Sequence, residues 1–360
     1  MSKPLIDVAV GVLVRPDGHV LLGQRPEGKP WAGWWELPGG KLEPHETPQQ
    51  ALARELHEEL GIHMTAATPW ITYVHTYPKT TVKLRFHRVT AWQGQPEGLE
   101  DQQLAWVAPT QAQTVGSLLP AAHPPLRWMR LPTQYLITGI RKADRLAVYL
   151  HELEAALRAG VRLVQFREPA WANQRDASLA VRDAFLAVRD LCHRYGAACL
   201  INSCHPQAWW PLADGVHYRA KDAAQLAAAS GAFDDGTNEE MAADAHNAPD
   251  ARNTDEAPPD TLPAGKPGSL RGTHYVAVSA HNEHELAIAN QIQADFAVLG
   301  HVLQTASHPV SPPMGWQAFA QCNEQAGLPV FALGGQSAST LDEAKRHGAH
   351  GIAAINGKLY

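Results

Sequence analysis

From Ile6 the apolar and polar positions alternate and then run apolar to Val14, the pattern of a strand with one buried face. A Pro-Asp-Gly-His turn follows, and Val20-Leu21-Leu22 resumes the sheet pattern. Further strand signals lie at residues 70–75, 82–91 and 104–107, and a short helix is predicted at 125–130. Between these groups Leu52, Leu56 and Leu60 recur every four residues, the apolar stripe of an amphipathic helix. Both ends of that helix are marked. Thr47 and Gln50 form a capping box, Pro48 suits the first helical position, and Gly61 supplies the left-handed residue after the last turn.

From Gln134 the pattern becomes strand and helix in strict alternation. Strands are predicted at 135–138, 162–167, 198–202, 215–218, 275–279, 296–300, 330–333 and 351–355, with helices between them such as 145–159 and 177–195. Eight βα units in this order predict a (βα)8 barrel. The last helix is largely missing before Tyr360, so the closing edge is expected to be covered by the first unit or by another subunit. The change of pattern divides the chain into a first domain at 1–130 and a second at 131–360. Residues 230–272 interrupt the second domain with an acidic, Pro- and Gly-rich run that has no apolar period, expected to be a disordered surface insertion.

Composition narrows the class. At 360 residues the chain exceeds one ordinary core, and 45% apolar with 18% charged residues is the balance of a globular protein. No apolar run approaches the roughly 20 residues of a membrane span, and no export leader is evident, which together predict a cytoplasmic protein with no membrane partner. Cys192, Cys199, Cys204 and Cys322 lack C-x-x-C spacing, so free thiols are expected. A net charge of −6 argues against binding duplex nucleic acid, though not against a free nucleotide. Oligomeric state is not legible.

Within the capped helix, Glu55, Glu58 and Glu59 fall at i, i+3 and i+4 and share the face opposite the leucines. Like charges so placed repel, and a hard cation relieves that repulsion, with oxygen donors suiting Mg²⁺ or Mn²⁺. The whole stretch from Gly40 to Ile62 carries Gly40, five residues, Glu46, seven residues, then Arg54-Glu55-Leu56-x-Glu58-Glu59-x-Gly61-Ile62. It resembles the Nudix box at every defined position. The resemblance implies a Nudix α/β/α sandwich with a mixed sheet. It also implies hydrolysis of a nucleoside diphosphate linked to another group, with metal held by Glu55, Glu58 and Glu59 next to Gly40. Arg54 and Glu46 would then orient the loop and helix.

Residues outside the box resemble the MutT-like branch, which hydrolyses oxidised purine nucleoside triphosphates to monophosphate and pyrophosphate. The run from Gln24 to Lys41 looks like that branch's entry to the box. The resemblance puts Arg25 on the substrate phosphates and Leu37 against the purine. Core or loop packing is expected for at least two of Trp31, Trp34 and Trp35. Glu100, ahead of Asp101-Gln102-Gln103-Leu104-Ala105-Trp106, is placed as a further metal-bound carboxylate or general base. In Pro120-Ala121-Ala122-His123-Pro124-Pro125, His123 stands where the branch has a base-reading asparagine, which it cannot replace with paired amide contacts.

The second domain resembles the thiamine-phosphate synthase and TenI family. Gln165-Phe166-Arg167-Glu168, Gly215-Val216-His217, Ser279-Ala280-His281 and the run from Gly300 to Thr305 carry the likeness. Gly334-Gly335 fits its phosphate-binding turn. The departures matter: Pro169, Ser203 and His308 stand where a synthase has lysine, aspartate and lysine, and Asp222 alone is a weak Mg²⁺ site. These argue against synthase activity. His301 matches the histidine of TenI's thiazole tautomerase, leaving a proton-shuttling role, a sensor of thiazole phosphate or a folded partner for the first domain. The leading expectation is therefore an Mg²⁺-dependent nucleoside triphosphate pyrophosphohydrolase of nucleotide-pool sanitation. The alternative is a thiamine-pathway enzyme acting on thiamine-type diphosphates.

Overall fold

The computed structural model describes residues 3–172, 178–231, 274–305, 311–355 and 359. The insertion at 230–272, beyond its first two residues, lies outside the described residues, as does His308.

In the first unit β1 (Leu5–Leu13) is the centre of a mixed sheet. It pairs parallel with β6 (Thr81–Gln93) and antiparallel with β4 (Gly39–Lys41), and β5 (His63–Thr76) flanks β6 to give the order β4-β1-β6-β5. A second sheet sets β3 (Trp35–Glu36), β2 (Val20–Gln24) and β7 (Leu104–Val107) side by side, all antiparallel. Helix α1 (Pro48–Leu60) has the expected ends: Thr47 closes a capping box with Gln50, and Gly61 adopts φ 66°. Its Ala51, Leu52, Leu56 and Leu60 pack on Ala9, Leu13, Leu21 and Val89. The opposite face of the sheet is covered by Trp35, Leu37, Leu119, and Leu126 and Trp128 of helix α2 (His123–Trp128). Strand β5 starts well before residue 70. Its pairing with β6 is interrupted between Met64 and Ala67 and again between Pro69 and Thr72, which hides the period-2 signal.

The second unit is a closed parallel barrel. Its strands are β8 (Gln134–Ile137), β9 (Leu163–Phe166), β10 (Ala198–Asn202), β11 (Gly215–Tyr218), β12 (Tyr275–Ala280), β13 (Phe296–Gly300), β14 (Val330–Leu333) and β15 (Gly351–Ile355). Each pairs parallel with the next, and β15 closes on β8. Tyr135, Leu163, Leu200, Phe296, Val298 and Phe331 fill the interior. A second core lies between strands and helices, for example Phe166 and Phe185, whose rings stand 5.4 Å apart. Cys192, Cys199, Cys204 and Cys322 are free thiols. Among the described residues no helix is long and apolar enough to cross a membrane.

The closing edge is not left bare. Leu359 is fully buried, and its carbonyl accepts a hydrogen bond from Gln134 Nε2. At the base of the barrel, β5 and β6 of the first unit meet the segment that enters β15, with Trp70 Nε1 donating to His350 Nδ1 at 3.3 Å.

Candidate active site

A cleft of about 860 Å³ opens in the first unit. Arg25, Leu37, Gly40, Glu55, Glu59 and Glu100 all line it, so strand, turn, helix and loop residues far apart in sequence converge. The positions come from local rules. The helix places Glu55 and Glu59 one turn apart, on the side facing β4. Gly40 is needed because a Cβ there would overlap the Glu55 carboxylate.

Arg54 organises the carboxylates. Its Nε and Nη2 grip Glu46 at 2.9 and 3.0 Å, its Nη1 donates to Glu55 at 2.9 Å and Glu58 at 3.1 Å, and Nη2 also donates to the Lys41 carbonyl at 3.1 Å. Hydrogen bonding to Arg54 holds the Glu46 carboxyl down at about 2. Glu59 is the opposite case. Burial, followed by the charges of Glu55, Glu100 and Glu36, pushes its carboxyl up to about 7.

Two expected residues fall outside this cavity's lining. Glu58 points to solvent, 57% exposed, with Arg54 as its partner. His123 begins α2, and the cleft wall there is made by Ala121 and Ala122, whose methyl groups offer a base no hydrogen bond. Leu37 lines the cleft but is also core, 5% exposed beside Trp35 and Leu119. Of the three tryptophans Trp35 is fully packed, while Trp31 and Trp34 meet edge to face at 5.1 Å beside it.

Sequence reasoning missed two ionic partners. Arg25, expected on phosphates, is ion-paired to Glu36 at 2.5 Å, and its Nε donates to the Pro30 carbonyl at 2.7 Å. Glu100 is paired with Lys29 at 2.5 Å. Glu36 lies in a two-residue strand, too short for any periodicity to show which way it faces. Burial raises its carboxyl above the ordinary range despite Arg25.

Among the described residues no three His, Cys, Asp or Glu side chains form a metal-ligand cluster, and Arg54 holds Glu55 and Glu58 in place. In kind and charge the lining fits a hard divalent cation. Its donors are carboxylate oxygens, and the mutual repulsion that raises Glu59 is what a cation would relieve.

The barrel carries a separate cavity of about 780 Å³ at the C-terminal ends of its strands. His301, Gly334 and Gly335 line it with Arg141 and His281, so His301 belongs to a site distinct from the glutamate cleft. Gly334 and Gly335 adopt φ 98° and 65°, and a side chain at Gly334 would come within 2.5 Å of the His301 Cβ. His301 Nε2 lies 3.2 Å from the Ser311 carbonyl. The synthase-like residues are tied up structurally. Glu168 accepts from the backbone N–H groups of Ile140 and Arg141 at 2.8 Å each, and Asp222 is bound by Ser203 at 2.5 Å and Arg219 at 2.6 Å.

The raised Glu59 carboxyl makes a pH-dependent prediction. The native state holds this proton more tightly than the unfolded chain, so the associated stability is present below about 4.5 and is lost as pH rises through about 7. Glu59→Gln is therefore expected to raise stability at pH 8 in chelator by at most about 3 kcal/mol, with no gain at pH 4.5. Urea denaturation at the two pH values checks this, and equal effects at both would refute it.

Comparison with known proteins places each unit in a family. Residues 5–130 match the NUDIX domain family, and residues 134–267 and 259–357 match the thiamine monophosphate synthase family. An 8-oxo-dGTP diphosphatase of Proteus vulgaris is 43% identical over 95 residues, 26% of this chain and 85% of that protein. A CTP pyrophosphohydrolase of Escherichia coli (strain K12) is 38% identical over 108 residues, 30% of this chain and 79% of that one. A putative thiamine-phosphate synthase 2 of Aquifex aeolicus (strain VF5) is 28% identical over 228 residues, 63% of this chain and 98% of its own length. The chain belongs to the NUDIX family through its first unit, which is a Nudix hydrolase, and to the thiamine monophosphate synthase family through its barrel.

Proposed function

We propose that the first unit hydrolyses oxidised purine nucleoside triphosphates of the 8-oxo-dGTP type to monophosphate and pyrophosphate, sanitising the cytoplasmic nucleotide pool. The observation that carries this is the single cleft in which Glu55, Glu59 and Glu100 meet Arg25. The similarity to 8-oxo-dGTP diphosphatases supports the same reading.

Glu55 and Glu59, with Glu58 after release from Arg54, would hold Mg²⁺ or Mn²⁺ beside Gly40. When bound, such a cation offsets phosphate charge and lowers the pKa of a bound water. Glu100, on the loop before β7, or Glu55 takes the proton from the attacking water. Arg25 exchanges its Glu36 contact for a phosphate oxygen, a bidentate match for its planar fork. Leu37 offers the base an apolar surface. The cleft's amides are already engaged, Gln24 Nε2 with the Gly33 carbonyl and Gln102 Nε2 with the Glu59 carbonyl, each at 2.9 Å. With alanines at the His123 turn, discrimination among bases rests on few polar contacts, and the CTP-hydrolysing relative makes CTP an informative competitor.

For the barrel we infer a binding role for thiazole phosphate without thiamine phosphate synthesis. The left-handed Gly334-Gly335 turn on the mouth cavity favours a single phosphate held by backbone donors. The Ser203 and Arg219 contacts leave Asp222 committed elsewhere.

Pyrophosphate release by the full chain from 8-oxo-dGTP, dGTP and CTP, set beside orthophosphate release from thiamine diphosphate, tests the first reading. We expect Mg²⁺-dependent turnover with kcat/KM for 8-oxo-dGTP at least tenfold above dGTP, about 1.4 kcal/mol of discrimination. Preference for thiamine diphosphate would instead favour a thiamine-pathway hydrolase. Calorimetric titration of the full chain with thiazole phosphate tests the second. Binding that survives His301→Ala, with no thiamine phosphate formed on adding the pyrimidine diphosphate, is expected. Absence of binding at millimolar ligand would remove the barrel reading.

A further inference from the structure

Strand β6 serves two neighbours. Its Val82, Leu84 and Phe86 line the hydrolase cleft. Arg85, between them, reaches Asp7 on β1 at 2.7 Å and Glu324 of the barrel helix Gly315–Glu324 at 2.8 Å. Two residues beyond the cleft, Arg88 donates to the carbonyls of Ala349 and His350 at 3.3 Å each and approaches His350 Nδ1 at 3.1 Å. Its guanidinium also lies 4.6 Å over the Trp70 ring.

The His350 ring is the meeting point. It is 1% exposed, immediately before β15. Its Nε2 lies 3.1 Å from the Leu131 carbonyl, an acceptor, so Nε2 carries the hydrogen and Nδ1 is left as a lone pair. That lone pair accepts from Trp70 Nε1 and faces Arg88, two donors of the first unit. One neutral imidazole thus joins the hydrolase sheet, the connecting segment and the last barrel strand. Burial, with Arg88 nearby, keeps the ring neutral by holding its pKa near 3.

An incidental contact between tethered domains would be exposed and wet. This one buries Trp70 to 3% exposure with its indole N–H satisfied from across the junction. Separation would strip the acceptor from a buried donor, the case in which a hydrogen bond is costly to lose. The supporting loop is fixed too, since Asn323 Nδ2 donates to the Gly348 carbonyl at 2.8 Å.

We propose that the base of the barrel is the structural partner of the hydrolase, and that the two units unfold as one cooperative body joined through His350, Arg88 and Trp70. This gives the barrel a function that does not depend on any ligand at its mouth, and it accounts for the fusion. It also means that residues 1–133, although they hold the cleft, lack the surface on which β5 and β6 rest.

Hydrogen exchange on the full chain tests this. His350→Phe keeps a flat, somewhat larger ring but removes both nitrogens. Exchange is expected to accelerate at least tenfold in peptides from 63–93 as well as 349–355, while Arg158→Ala, at an exposed barrel pair, changes neither. Should His350→Phe fail to fold, Trp70→Phe makes the reciprocal test, removing the hydrolase-side N–H with part of the buried ring and accelerating exchange at 349–355. Calorimetry of the wild type should show one transition. Exchange changes confined to the mutated side, or two separate wild-type transitions, would overturn the proposal.

Discussion

One guanidinium orders the chemistry of the first unit. Arg54 has five N–H donors, and the structure gives each an acceptor: two on Glu46, one each on Glu55, Glu58 and the Lys41 carbonyl. Lysine has neither the planar fork nor the number of donors to do this. The consequence is that the turn after β4, the helix and two of its carboxylates are fixed relative to one another. Gly40 then lets the Glu55 carboxylate lie against that turn. With Glu55 placed and Glu36 and Glu100 close by, Glu59 is left as the group that carries the excess charge, and its raised pKa follows. A divalent cation held there would relieve a repulsion that the fold has built.

Much of this was legible because helix α1 advertises itself at every level. Its capping box, leucine stripe and glycine stop coincide, and the glutamate spacing fixes which side chains share a face. The barrel strands were equally readable, since short apolar runs alternate with amphipathic helices. What failed to show was anything set by pairing across short or irregular strands. β3 is two residues long, so the Glu36 partnership with Arg25 had no periodic trace. β5 shifts register repeatedly and began seven residues earlier than the residue-70 signal (63 against 70). Aligning His123 with a base-reading asparagine assumed a common turn, and the turn instead brings Ala121 and Ala122 to the cleft.

The two ends of the barrel carry different features. Its mouth retains a cavity, a left-handed glycine pair and a histidine, while Ser203 and Arg219 hold the one carboxylate a synthase-type metal would need. At the other end, His350 takes on a junction role that no motif announces, because it depends on Trp70 and Arg88 from a unit about 260 to 280 positions away in sequence. Both ends of strand β15 are thus engaged, one with the hydrolase and one with the cavity at the barrel mouth.

We propose that Arg54 fixes the relative positions of the α1 carboxylates, from which Glu55 and Glu59 would hold a divalent cation for hydrolysis. Mn²⁺ titration of the full-length Arg54→Lys protein, followed by electron paramagnetic resonance and paired with turnover of 8-oxo-dGTP, tests it most directly. Metal affinity and turnover are both expected to fall by about 10- to 100-fold, with helix content by circular dichroism unchanged. Metal affinity and turnover within twofold of wild type would contradict it.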